Sequence, residues 1–134
     1  MDYSEWEMGL PGVITRDPLW TLRVYREALW AGEVGRGDAE RLAARAEFAD
    51  LAAQLRRATE SISVNIAEGH ARISAKDRAR YYEYAAGSAR ESRDWYFKAR
   101  TALGEPTTTQ RLDSLTTIIR VMTTLIAKAR PSKN

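Results

Sequence analysis

The residues best suited to chemistry in this 134-residue chain are Asn65, Glu68, Ser88 and Glu91, which fall on or beside the apolar stripes of two amphipathic segments. Two carboxylates held inside a helical assembly can act as an acid–base pair, one accepting a proton while the other donates. The same four residues, with Arg57, can instead form a buried structural network, because polar groups removed from water must bond one another. A buried polar residue of that kind fixes helix register and oligomer state. The structural network is the expected role, since a catalytic pair also needs a pocket and a nucleophile or activated water, and the sequence offers neither. Carboxylate-bridged di-iron sites need Glu-x-x-His pairs on two helices; this chain has one histidine, His70, in an expected turn. Glycine-rich phosphate loops, the Gly-x-Ser-x-Gly elbow and His-Glu-x-x-His are absent. With no cysteine, disulfides, thiolate metal sites and cysteine nucleophiles are excluded. The expectation is a protein with no enzymatic activity, no cofactor and no metal.

The elements that position these residues are helices, because β-branched residues are sparse and seldom alternate with polar ones. Residues 1–16 hold two glycines and a proline without a sustained period, and read as a flexible or partly ordered N-terminal arm on which Tyr3 and Trp6 could dock. Asp17 and Pro18 start a first helix over about 18–34, ended by Gly32, Gly35 and Gly37. Asp38 caps a second helix, and because no proline or glycine interrupts residues 39–68, that helix is expected to run unbroken to Glu68 and stop at Gly69. Its core stripe is Leu51, Leu55, Ala58, Ile62, Asn65 and Gly69, widened by Ile66. Ser74 with Asp77 caps a third helix over about 75–103. Thr107 with Gln110 opens a fourth, carrying Leu112, Leu115, Ile119, Met122 and Ile126 to about residue 129. Residues 131–134 are a C-terminal tail. Short connections between four amphipathic helices over 17–130 predict an antiparallel up-down-up-down four-helix bundle. A three-helix core with the first helix loosely outside is the alternative.

Charge is divided along the chain. Residues 1–50 hold 6 Lys/Arg against 10 Asp/Glu and residues 51–134 hold 15 against 8, so halves of −4 and +7 make up the overall +3. Arg72, Lys76, Arg78 and Arg80 gather at one helix turn, where they form a candidate rim for nucleic-acid phosphates. Tyr81 and Tyr82 match the core stripe better than a stacking surface. No apolar run exceeds four residues, against the 18 or so needed to span a bilayer, so a cytoplasmic location without membrane association is expected.

The run Gln54–Gly69 (QLRRATESISVNIAEG), followed by Arg72, Ser74, Asp77 and then Tyr81–Ser92 (YYEYAAGSARES), resembles the four-helix-bundle proteins encoded by intervening sequences of bacterial 23S ribosomal RNA genes. The family pattern is met by Gln54–Ala58, Ser61–Ile62, Asn65–Gly69 and Gly87–Glu91. Members usually carry a Phe-Pro break between the first two helices, whereas this chain has Phe48 without a proline. The resemblance implies a ring, typically a homopentamer, with no established enzymatic activity. A more distant group, the basic accessory proteins of diversity-generating retroelements, supplies an analogy for binding RNA or DNA. Trp6, Trp20 and Trp30 exceed what a small bundle core takes, which favours self-association. Two functions follow as expectations: an oligomeric adaptor that binds nucleic-acid backbone, or a scaffold for protein–protein interaction with no nucleic-acid role.

Overall fold

The computed structural model describes residues 1–130, so the expected tail at 131–134 lies outside the described residues. Those residues form an all-α structure without a strand. Four long helices dominate: α3 (Arg23–Ala43), α4 (Ala49–Ala71), α5 (Ala75–Lys98) and α7 (Glu105–Ala129), preceded by the short α1 (Tyr3–Met8) and α2 (Gly12–Thr15) and interrupted by α6 (Arg100–Leu103). Successive long helices pack side by side, α3 on α4, α4 on α5 and α5 on α7. Contacts run in opposite senses along each of the last two pairs. Ser61 meets Ser88 while Gly69 meets Tyr82, and Arg93 meets Thr116 while Glu83 meets Arg130. Leu42, Leu55, Ile62, Ile66, Tyr96, Leu115, Ile118 and Met122 are the fully buried centre.

The second helix is not unbroken. The chain leaves α3 at Ala44, passes through a 3-10 turn at Ala46–Phe48 and re-enters helix at Ala49. No breaker residue causes this. A continuous helix over residues 39–68 would extend about 45 Å, carrying the apolar faces around Leu42 and Leu55 away from one shared core. Turning back buries both, with Phe48 packed partly against that core and Arg45 stacked 5.1 Å from its ring. Burial of an amphipathic face outweighs helix propensity here.

The glycines of the first helix do not end it either. Gly32 and Gly35 are buried inside α3 on the side facing α4. A Cβ on Gly35 would stand 2.3 Å from Oγ1 of the fully buried Thr59, and one on Gly32 would stand 3.6 Å from Cα of Glu60. These residues permit the close approach of two helices. Asp38 accordingly lies inside α3 instead of capping a helix.

Other boundaries shift for local reasons. Asp17 caps a 3-10 turn at Pro18–Thr21, accepting from Leu19 N at 2.9 Å, and α3 itself starts at Arg23. Ser74 caps α5 as expected, accepting from Asp77 N at 3.1 Å. The third helix ends at Lys98, because Ala99 turns the chain into α6 before Gly104 adopts a left-handed φ of 88°. Gly104 then caps α7, three residues earlier than the Thr107 cap expected, and Pro106 occupies its first turn. The N-terminal arm is folded. Asp2 and Glu5 make a reciprocal capping box for α1, and Trp6, 8% exposed, stacks 5.1 Å from Trp30 and 6.3 Å from Trp20. Trp20 is also 8% exposed, so two of the three tryptophans expected at a surface are consumed by the arm's own docking.

The two glycines of α3 that differ most in surroundings should respond oppositely to alanine. Gly35→Ala forces Thr59 to move and should cost about 1–3 kcal/mol. At Gly37 a Cβ meets nothing within 4 Å, and Gly37→Ala should stabilise by about 0.5–1 kcal/mol through helix propensity. Urea denaturation midpoints that move in the same direction would contradict this account.

Candidate functional site

The turn between α4 and α5 carries the four cations singled out as a phosphate-binding rim, and most of their charge is engaged locally. Arg72 donates to Glu68 at 2.8 Å and to the Tyr81 hydroxyl at 3.1 Å, with its guanidinium 4.6 Å from the Tyr81 ring. Arg80 lies 3.4 Å from Asp77 and 5.3 Å from the same ring. Arg78 donates to the carbonyls of Arg72 and Ile73, bracing the turn. Lys76 is exposed and has no ion pair among the described residues. Tyr81 is half-buried and serves as the ring on which two arginines rest; Tyr82 is core, and Tyr84 is half-exposed.

The expected buried network of Arg57, Asn65, Glu68, Ser88 and Glu91 is not assembled. Only Ser88 crosses between helices, accepting from the Ser61 hydroxyl at 2.7 Å. Asn65 donates back to Ser61 O at 2.9 Å, and Arg57 donates to Gln54 at 2.8 Å. Glu68 and Glu91 are exposed, the first paired with Arg72 and the second accepting from Trp95 Nε1 at 3.3 Å. The reason is angular. The buried stripe of α4 runs through Leu55, Ala58, Thr59, Ile62, Ile66 and Gly69, and at 3.6 residues per turn Glu68 lies about 160° round from Ile66. Arg57, Ser61, Val64 and Glu68 instead share one outer face of α4, against Tyr84, Ser88, Glu91 and Trp95 on α5. Val64 and Tyr84 are 59% and 50% exposed there.

The polar cluster that the fold does bury was not anticipated. Asp38, 2% exposed, accepts from Tyr96 Oη at 2.6 Å, from Arg111 Nε at 2.8 Å and from Arg41 Nη2 at 2.6 Å. Burial pushes its carboxyl up, but the hydrogen bonds from Arg111, Tyr96 and Arg41 outweigh burial and hold it below the usual carboxylate value. Burial, then the neighbouring Asp38 charge, pushes the Tyr96 phenol well above its ordinary value, so it remains a donor. A sequence signal existed: Val24, Ala28, Gly35, Asp38 and Leu42 continue one three-four spacing through the glycines. Beside the cluster, between α3 and α7, is a cavity of about 300 Å³ lined by Tyr3, Trp30, Val34, Tyr96, Arg111 and Leu115 among others. Among the described residues no group of three His, Asp or Glu side chains could hold a metal ion, and no helix is long and apolar enough to cross a membrane.

Residues 37–124, from the last third of α3 to near the end of α7, match the model of the 23S rRNA-intervening sequence protein family. The chain belongs to the 23S rRNA-intervening sequence protein family. Neither a curated protein nor a solved structure matches the chain. The segment matched to the 23S rRNA-intervening sequence proteins contains Asp38, Tyr96 and Arg111 and excludes α1, α2 and the tryptophans that hold them.

Asp38→Asn should lower stability by about 3 kcal/mol at pH 7, as expected when one partner of a buried pair is removed. The folded carboxyl titrates below the unfolded value of about 3.9. Its contribution is therefore complete above that value and lost as pH falls through the folded one. Denaturation from pH 7 to pH 2 should show wild type and Asp38→Asn converging only below about pH 4; a gap constant across that range would refute the assignment.

Proposed function

We propose that this protein is a non-enzymatic, oligomeric, antiparallel four-helix bundle that binds RNA or DNA backbone as an adaptor. The observation carrying the proposal is the distribution of cations without a carboxylate within 4 Å. In α5 through α7 these are Lys76, Arg78, Arg90, Arg93, Arg100, Arg120 and Lys128, among the described residues. In α3 and α4, by contrast, four of the six arginines, Arg23, Arg36, Arg41 and Arg56, are matched by acids, leaving Arg26 and Arg57. Unmatched arginines and lysines attract polyanions through their summed field. Within the turn rim, Lys76 and Arg78 retain charge for phosphate, whereas Arg72 and Arg80 are partly neutralised by Glu68 and Asp77. Membership of a family named for an intervening sequence of 23S rRNA is consistent with a nucleic-acid association.

Self-association is supported by the outer face of α4 and α5, where Val64 and Tyr84 stand exposed between Arg57, Glu68 and Glu91. An apolar strip rimmed by both signs of charge suits a second copy of the same surface type. The family resemblance implies a homopentameric ring. The same face favours a second reading, a protein-interaction scaffold without nucleic acid. The absence of a transmembrane helix among the described residues and the lack of cysteine fit a cytoplasmic setting.

Two measurements test the proposal. Fluorescence anisotropy with labelled RNA and labelled single-stranded DNA should show binding at 50 mM salt that falls by roughly two or more orders of magnitude at 200 mM; no binding at low salt leaves the scaffold reading. Light scattering of wild type should give an oligomer mass, a pentamer if the family resemblance holds, and the double variant Val64→Glu, Tyr84→Glu should be monomeric. A wild-type monomer at micromolar concentration would overturn the oligomeric part.

A further inference from the structure

The groove between α5 and α7 gathers the unmatched arginines in a form the turn rim does not have. Arg90, Arg93 and Phe97 follow a three-four spacing, which places them on one side of α5 over about 10 Å of helix, and Arg100 opens α6 just past the end of α5. Arg93 is seated against α7 by its bond to Thr116 Oγ1 at 3.2 Å. Asp94, Phe97 and Leu112 line the same surface hollow as Arg90 and Arg93. Because α5 and α7 run in opposite senses, Arg120, one turn beyond Thr116, is level with Arg90, one turn before Arg93. Two exposed arginines therefore flank the groove at that end. At the other end Phe97 is 51% exposed, with the Arg100 guanidinium 4.1 Å from its ring centroid.

We infer that this groove is a binding track for single-stranded nucleic acid, with Arg90, Arg93, Arg100 and Arg120 holding the phosphates and Phe97 stacking a base. The inference rests on the nucleic-acid reading proposed above and gives it a site and a strand form. The arginines alone would fit any polyanion. The exposed ring discriminates: an aromatic face flanked by arginines takes an unpaired base, which a duplex keeps stacked inside. The rise of about 10 Å along α5 from Arg90 to Phe97 matches roughly three nucleotides at the 3.4 Å per-strand spacing of a stacked strand, and Arg100 extends the track beyond them. Two acids stand near the track. Asp94 lines the hollow but is engaged by Lys98 at 2.7 Å, and Asp113 on α7 is level with Phe97 and nearly two turns from Arg120. The engaged guanidinium of Arg93 still has donors to spare, since its one bond uses Nη1.

The test is anisotropy titration of a labelled 15-nucleotide oligothymidylate and a mixed-sequence DNA duplex of the same length, across 50–200 mM salt. The proteins are wild type, Arg90→Ala with Arg120→Ala, Phe97→Ala, and the rim variant Lys76→Ala with Arg78→Ala. All three variants should keep the wild-type helical circular dichroism, because the substituted side chains are exposed or brace only a turn. Loss of Arg90 and Arg120 should weaken oligothymidylate binding at least tenfold and make the slope of log affinity against log salt shallower by about two. Arg90→Lys with Arg120→Lys should restore most of that binding. Phe97→Ala should weaken oligothymidylate about tenfold while leaving the salt slope and duplex binding unchanged. The rim variant should lose less than the groove variant. Wild-type binding that the groove variants retain in full overturns the track and leaves the nucleic-acid reading standing. Failure of wild type to bind either probe overturns both.

Discussion

Asp38 is a single carboxylate inside a helix core, and three elements of the fold meet on it. Tyr96 reaches it from α5 and Arg111 from α7, while Arg41 closes over it from its own helix. A charge buried to this degree is expensive unless every lone pair is occupied, so its position dictates where the partner helices stand. The effect is greatest along the seam between α3 and α7. Those two helices touch far less than the long pairs α3–α4, α4–α5 and α5–α7, and the Asp38–Arg111 pair is a polar link across that gap. Apolar burial drives α3, α4, α5 and α7 together, but it is indifferent to small rotations; the bidentate approach of Arg111 is not.

Much of this architecture is legible in the amino-acid order. The stripes of α4, α5 and α7 can be read from Leu55, Ile62 and Ile66, from Tyr82, Ala85 and Ala89, and from Leu115, Ile119 and Met122, because a three-four apolar spacing has one physical solution in a small domain. Punctuation is less legible. Gly32 and Gly35 carry the same side chain as a helix stop, and only the presence of Thr59 opposite shows that they serve close approach instead. The turn at Ala46–Phe48 has no breaker residue because its cause is non-local, the shared core on which Leu42 and Leu55 converge. Asp38 followed a glycine and resembled a cap; its real partners are 58 and 73 positions away.

Candidate site residues were harder still. Glu68 and Glu91 sit one step outside the apolar stripes, and a rotation of that size separates a desolvated carboxylate from one that pairs with Arg72 or a Trp95 ring nitrogen in water. The turn cations can be grouped by position from the amino-acid order, yet that order cannot show that Asp77 and Glu68 stand beside two of them. What distinguishes the α5–α7 groove is the same property in reverse. Its arginines are spaced along the chain no more densely than those of α3, but none of them has a carboxylate within 4 Å among the described residues, and Arg93 meets Thr116 across the groove. Charge becomes available for recognition where the partner helix declines to neutralise it.

The docked N-terminus has an optical consequence. Trp6, Trp20 and Trp30 form one indole cluster with Tyr3 at its edge, and the fourth tryptophan, Trp95, lies apart on α5 next to Glu91 and Lys98. Emission from the cluster is thus governed by whether α1 is seated, since Trp6 supplies the ring that joins Trp20 to Trp30. Trp95 is half-buried on the α4–α5 face and senses what approaches there. The intrinsic fluorescence of this protein therefore has two spatially separate reporters, one for detachment of a segment outside the family-matched region and one for occupation of its outer helical face.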